Sequence, residues 1–484
     1  MRSTAWILAV GCAAPPSEEV VGFGEGFVWG SATAGFQVEA GCPTLAAEAC
    51  EDRASDWYQY VTDPVFLDER SLFVTGESMS HAPGMWETWE SDVARMKQAN
   101  LGALRLSIEW SRLFPEDAWD VDTVEGLRAV VNADAVARYR EMLNAVRASG
   151  MRPLVTVNHY TLPLWVHDGK ACHLDLETCA RKGWVDPEIV PRIALYAGVL
   201  GAEFGDLVDE WATLNEPFAN SLAGYLQPGE FRSHPPGLSM NGAATVATVH
   251  HQIEASARMY DALHAADTVD ADGDGDPAQV GVVLNMVAIE PANPDSDEDL
   301  AAVDKVDHVY HGLFLDGLTA GQWDADVDGE WDEPRDDLKG RLDYVGVNYY
   351  NRVEVRNLGI TVIPDLPIFD FYPEVDPDPY PEGIAPVLAR AASFGLPVVI
   401  TENGTDRVDE AADLLDETLG YVRDAVQGGA DIRGFYYWSW VDNYEWNHGL
   451  GLRFGLNALN PSTKAREPRA SLTRLSEIAA ANDL

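Results

Sequence analysis

Short apolar runs alternate along the chain with longer segments whose apolar positions recur at helical spacing. The runs cover 27–34, 103–108, 153–157, 280–285, 342–348, 398–401 and 434–439, and a further one starts at 210 and leads into Asn215-Glu216-Pro217. Such bounded apolar stretches read as buried strands. Helical periodicity marks 87–100, 134–149, 187–204, 243–266, 384–394 and 411–426, with Gly150 as one clear stop. An irregular, cysteine-bounded excursion occupies the chain up to about Pro83. Strand candidates alternating with helices in this way predict the α/β class, as a single (β/α)8 barrel with long loops after its strands. A doubly wound sheet with a second domain lacks both a linker and a GxGxxG motif after any strand.

Two strand candidates end on an acid. The run Val398-Val399-Ile400-Thr401 stops at Glu402, followed by Asn403-Gly404, which reads as a tight turn. The stretch from 210 ends at Glu216. Strand ends at one face of a parallel barrel are where catalytic groups stand. Two carboxylates there suit glycoside hydrolysis, in which one protonates the leaving oxygen and the other attacks or supports the anomeric carbon.

Composition narrows the substrate. The formal net charge is -46 and the pI near 4.3. A surface so negative repels nucleic acid and anionic lipid and favours a small neutral ligand. With 46% hydrophobic residues, 10% of all residues aromatic, the 484-residue chain can build a large core.

Longer motifs tie these pieces together. They are Phe27-x-Trp29-Gly30-x-Ala32-Thr33-Ala34-x-x-Gln37-x-Glu39, Arg105-x-Ser107-x-x-Trp110-Ser111-Arg112, Asn158-His159-Tyr160, Thr213-Leu214-Asn215-Glu216-Pro217, Asn348-Tyr349-Tyr350, Thr401-Glu402-Asn403-Gly404 and Trp438-Ser439-x-x-Asp442-Asn443-Tyr444-Glu445-Trp446. In residues and order the chain resembles glycoside hydrolase family 1, the retaining β-glycosidases, and within it the archaeal-type branch. The resemblance implies Glu402 as nucleophile and Glu216 as acid/base, their carboxylates roughly 5–5.5 Å apart. It implies Arg105 and Tyr350 beside the nucleophile and Asn215 at the sugar 2-hydroxyl. Gln37, His159, Glu445 and Trp446 would bind the non-reducing sugar, with Trp438 as an apolar floor. No cofactor is implied. An acid at Glu445, where phospho-glycosidases carry serine, points to non-phosphorylated O-glycosides. Transglycosylation at the same intermediate, and a non-catalytic carbohydrate-binding surface protein, are the alternatives.

Some features lie outside the family pattern. Met1-Arg2, the apolar run Ala5–Val10 and Gly11-Cys12 resemble a bacterial lipoprotein signal, with residues 1–22 as leader and tether, a lipid anchor at Cys12 and residues 23–484 as the glycosidase domain. That expectation makes the protein exported, at a membrane or cell surface. Cys42, Cys50, Cys172 and Cys179 form two pairs close in sequence, as short disulfide loops do. Asp270, Asp272, Asp274 and Asp276, and likewise Asp324, Asp326 and Asp328, follow D-x-D-x-D and are candidate structural calcium ligands, although Gly281 and Arg335 occupy the position of the closing glutamate.

Overall fold

Every one of the apolar runs is a strand. The computed structural model describes residues 22–363, 366–376 and 378–484. The strands are β1 (Val28–Ala32), β2 (Ala103–Ser107), β3 (Arg152–Asn158), β4 (Glu210–Asn215), β5 (Gln279–Asn285), β6 (Tyr344–Asn348), β7 (Val398–Asn403) and β8 (Ile432–Trp438). All pair in parallel with their sequence neighbours, and β1 pairs with β8, so the barrel closes without an edge. The expected α/β barrel is the observed fold.

Outside the strands lie α1 (Met85–Gln98), α2 (Ala133–Ala148), α3 (Ile189–Phe204), α4 (Gly242–Ala266), α5 (Leu313–Ala320), α6 (Ile384–Ala392), α7 (Ala411–Gln427) and α8 (Ala470–Ala481). Local chemistry sets their ends. The Asn132 side chain accepts from the amides of Asp134 and Ala135 to start α2, and that of Asn241 accepts from Ala244 to start α4. Two of these helices escape the sequence pattern. Ahead of α5, a π-helical stretch (His308–Gly312) joins it to a helix over Asp297–Asp307, and the extra residue per turn breaks the 3.6-residue rhythm. The other is α8, beyond the last strand.

The strand alternation sorts side chains between two layers. In β2, Leu104 and Leu106 join the large core under the helices, whereas Ala103 belongs to the barrel interior and Arg105 reaches the end of β7. The interior is made of small residues around Tyr436 and Trp438. Gly30 shows why: a Cβ there would stand 2.6 Å from the Tyr436 ring.

Long loops after the strands build the rim. The excursion after β1 is closed by a Cys42–Cys50 disulfide, and Cys172–Cys179 closes a second short loop after β3. A separate cluster containing Phe36, Trp57, Tyr60, Tyr160, Tyr444 and Trp446 backs one wall of the site. A three-stranded sheet (Ala288–Pro291, Arg352–Asn357, Phe371–Asp376) backs another. Its middle strand, Arg352-Val353-Glu354-Val355-Arg356, has the period-two alternation that announces a half-buried strand.

The acidic runs sit in the loops that lead into β5 and β6: in the first Asp272 pairs with Arg152 at the start of β3, and in the second Asp324 meets His250 of α4 and His308. Asp270, Asp272 and Asp274 can bring one oxygen each together, as can Asp324, Asp326 and Asp332. Asp276 and Asp328 stand outside these groups. The loops also use their own carboxylates: Asp270 accepts from the amides of Gly273 and Gly275, and Asp324 from those of Asp328 and Gly329. The leader and anchor expected for residues 1–22, Cys12 included, fall outside the described residues except for Gly22. Among the described residues no helix is long and apolar enough to cross a membrane.

Candidate active site

β7 carries Glu402 to the barrel end, and β4 carries Glu216. Both strands shift register near these ends, β7 against each of its neighbours between Ile400 and the strand terminus, β4 against β5 between Ala212 and Asn215. Such irregularities re-aim side chains beside functional sites. The glycine after Asn403 has a different cause from the expected tight turn. Gly404 lacks positive φ, and a Cβ on it would lie 2.0 Å from the Trp438 carbonyl oxygen. Close backbone approach, rather than turning, requires it.

Glu402 is 3% exposed. Its Oε1 accepts from Arg105 Nη1 at 2.5 Å and its Oε2 from the Tyr350 hydroxyl at 2.7 Å. Arg105 is itself fully buried, donating through Nε to Thr156 and through Nη2 to Asn215 Oδ1 at 2.7 Å. Removing either member of such a buried pair costs about 3–5 kcal/mol, because the other charge is left uncompensated. The pair therefore holds the geometry rigid.

Glu216 stands in a left-handed backbone conformation (φ 44°) immediately before Pro217, the first residue of a short helix. Proline pre-sets that helix start. The strain of a non-glycine residue there, about 1–3 kcal/mol, is the kind found at functional sites. Tyr160 donates to one Glu216 oxygen at 2.5 Å and Asn348 Nδ2 to the other at 2.8 Å. Asn348 Nδ2 also reaches Asn215 Oδ1 at 3.1 Å. Arg105, Asn215 and Asn348 thus form one hydrogen-bonded chain between the two glutamates.

The sugar wall lies to one side. Gln37 Nε2 donates to Glu445 Oε2 at 2.9 Å and to Asn443 Oδ1 at 3.1 Å. Arg232 Nη1 meets Glu445 Oε1 at 3.1 Å. His159 lies nearly parallel to both Trp438 and Trp446, its ring centre 5.8 Å from each. Gln37 Oε1, His159 Nδ1 and Asn285 Oδ1 are buried without partners. Orphaned polar atoms are rare in folded proteins and here suit the hydroxyl groups of a ligand. His159 and Asn285 border a cavity of about 1240 Å³, with Glu216, Glu402, Trp438, Glu445 and Trp446 also in its lining.

Burial governs the protonation of these groups. It pushes the Tyr160 and Tyr350 hydroxyls well above the usual phenol range, helped by the neighbouring glutamates, so both remain proton donors. His159 is driven well below its ordinary value, first by burial and then by Arg105 and Arg232, and is neutral. Glu402 is raised to about 7 by burial; Arg105 pulls it down, the charge on Glu216 pushes it up, and Tyr350 pulls it down again.

All ten residues singled out in the sequence meet here: Gln37, Arg105, His159, Asn215, Glu216, Tyr350, Glu402, Trp438, Glu445 and Trp446. Tyr160 and Asn348 were inside the recognised motifs without a role. Arg232 was missed, because the loop that carries it has neither periodicity nor motif.

A parallel barrel with one buried and one half-buried glutamate beside an aromatic-floored cavity defines a glycoside hydrolase. Residues 20–484 match the family model of glycosyl hydrolase family 1, and the chain belongs to that family. It is 32% identical to a β-galactosidase of Pyrococcus woesei, over 95% of this chain and 97% of that protein. It is 28% identical to β-glucosidase A of Thermotoga maritima, over 92% and 94%. The crystal structure of the β-glycosidase from Thermosphaera aggregans superimposes with a TM-score of 0.82 at 26% identity, covering 96% of this chain and 98% of that one. The protein is a retaining β-glycosidase, and the chemistry of its family needs no cofactor.

Proposed function

We propose that Glu402 is the nucleophile and Glu216 the acid/base of double displacement on neutral β-glucosides or β-galactosides. One observation carries the division of labour: Glu402 touches a guanidinium, whereas Glu216 among the described residues accepts from a phenol and an amide. A contacting cation favours the ionised carboxylate, the form in which Glu402 can attack. Glu402 attacks the anomeric carbon while Glu216 gives its proton to the departing oxygen. Esterification then removes the charge on Glu402, and Glu216, now ionised, takes a proton from the water that releases the sugar. Asn215 donates to the 2-hydroxyl, and its own oxygen is already held by Arg105 and Asn348.

The names of the relatives, β-galactosidase and β-glucosidase, support those two sugars. Initial rates on 4-nitrophenyl β-glycosides test this directly. The glucoside and galactoside should be cleaved with retention, and their 6-phosphates should not, since Glu445 repels the added charge. Cleavage of the 6-phosphates alone would overturn the assignment.

Arg232 has a readable part in this specificity. It grips Glu445, only 3% exposed, and so fixes where that carboxylate meets the sugar. Arg232→Met is expected to raise KM by about 10–100-fold with a smaller change in kcat, matching the 1.5–3 kcal/mol of a hydrogen bond to a charged group. Steady-state kinetics of R232M and R232K, the lysine recovering part of the loss, check it.

Export with a lipid anchor at Cys12 remains our proposal for location. The two short disulfide loops support it, because such bonds persist in oxidising compartments.

A further inference from the structure

Behind the sugar wall lies a buried cluster with no part in the chemistry above. Glu39, Asp52 and Glu109 are 2%, 6% and 1% exposed, and a single guanidinium, Arg112, stands among them. Arg112 pairs with Glu39 at 2.5 Å, donates to the Cys50 carbonyl and lies over the Trp86 ring. Asp52 accepts from the Ser111 hydroxyl. No ion pair among the described residues includes Glu109. Its Oε1 meets the Ser107 hydroxyl at 2.7 Å and its Oε2 the Thr161 hydroxyl at 2.5 Å.

Those two hydroxyls lead to the active site. Ser107 Oγ accepts from the Gly35 amide at 2.8 Å, the first residue of the short helix (Gly35–Glu39) that carries Gln37. Thr161 closes the turn after β3: its amide donates to the His159 carbonyl at 2.9 Å, and its carbonyl accepts from Asn158 Nδ2 at 2.8 Å. Between them Tyr160 is held at φ 71°, a left-handed conformation that a tyrosine keeps only under constraint. The packing leaves no slack, since a Cβ on Gly35 would stand 2.7 Å from a Glu109 oxygen.

We propose that Glu109 is a positioning residue: its one carboxyl fixes the two segments that aim Gln37 and His159 at the sugar and Tyr160 at Glu216. The inference rests on the roles proposed above for those residues. Three buried carboxylates facing one guanidinium cannot all be charged, and Glu109, without a cation in contact, is the one that keeps its proton. Burial and then the charge on Glu39 lift it to about 8, with Asp52 adding to the rise against the two hydroxyls. The other titratable neighbours, Tyr139 on α2 and Tyr196 on α3, are held neutral by burial. Since the folded state binds this proton more tightly than the unfolded chain, the contribution is full below the ordinary carboxyl value of 4.5 and declines as the pH rises from there to about 8.

The test compares wild type, E109A, E109Q and T161V on 4-nitrophenyl and 2,4-dinitrophenyl β-glucosides, with melting curves across the same pH range. E109A should lose about 10–100-fold in kcat/KM, the scale of a small misplacement of catalytic groups. The deficit should be larger on the 4-nitrophenyl substrate, which depends more on Glu216, and the alkaline limb of the profile should move. T161V should shift both in the same direction by less, and it carries the readout if E109A does not fold. E109Q, a neutral near-isostere, should recover most of the activity, and its melting temperature should fall less than that of wild type toward alkaline pH. A folded E109A with wild-type kinetics and profile, or an E109Q as impaired as E109A, would overturn the proposal. Wild type inactive on both substrates would instead sink the glycosidase assignment itself.

Discussion

Glu402→Gly is expected to abolish hydrolysis of aryl β-glycosides, lowering kcat by roughly five orders of magnitude, as removal of a covalent nucleophile does. The variant leaves Arg105, fully buried, facing the space of the lost carboxylate. A small anion suits that space. Added azide should attack the anomeric carbon from the side Glu402 occupied, while Glu216 still protonates the leaving group. One inversion then gives the α-glycosyl azide. Product analysis by nuclear magnetic resonance checks it, and full activity in the variant would remove Glu402 from the role.

Glu216→Ala should separate the two steps. Without general acid catalysis, cleavage of a substrate with a poor leaving group should fall by about 10²–10⁴-fold. A 2,4-dinitrophenyl glycoside needs no protonation, so its first step should survive and the glycosyl-enzyme accumulate, visible by intact-protein mass spectrometry. Azide added to that intermediate would give the β-glycosyl azide, the opposite anomer to that from E402G. Unchanged 4-nitrophenyl kinetics in the variant would remove Glu216 from the acid/base role.

Two motifs show how far residue patterns reached into the site. Thr401-Glu402-Asn403-Gly404 correctly announced an acid at a strand end, yet misread its glycine. That residue answers to Trp438, a neighbour only after β7 and β8 pair. Asn348-Tyr349-Tyr350 identified Tyr350 and passed over Asn348, whose amide bridges Asn215 and Glu216 across the barrel mouth. The helix over Asp297–Asp307 and α5 behind it went unread for a different reason: the π-helical stretch between them breaks the helical period.

The sequence alone determined the eight strands, the barrel and the two glutamates at its rim. Those features are local: an apolar run specifies a buried strand, and the residue after it specifies what the strand presents. The tertiary structure alone decided which residue grips Glu445 and which buried acid anchors the turn of Tyr160. Arg105 meets Glu402 across 297 positions, Arg232 meets Glu445 across 213, and Glu109 meets Thr161 across 52. A carboxylate takes its charge state from whatever packs against it, and that partner is chosen by closure of the barrel and not by the residues beside it in the chain.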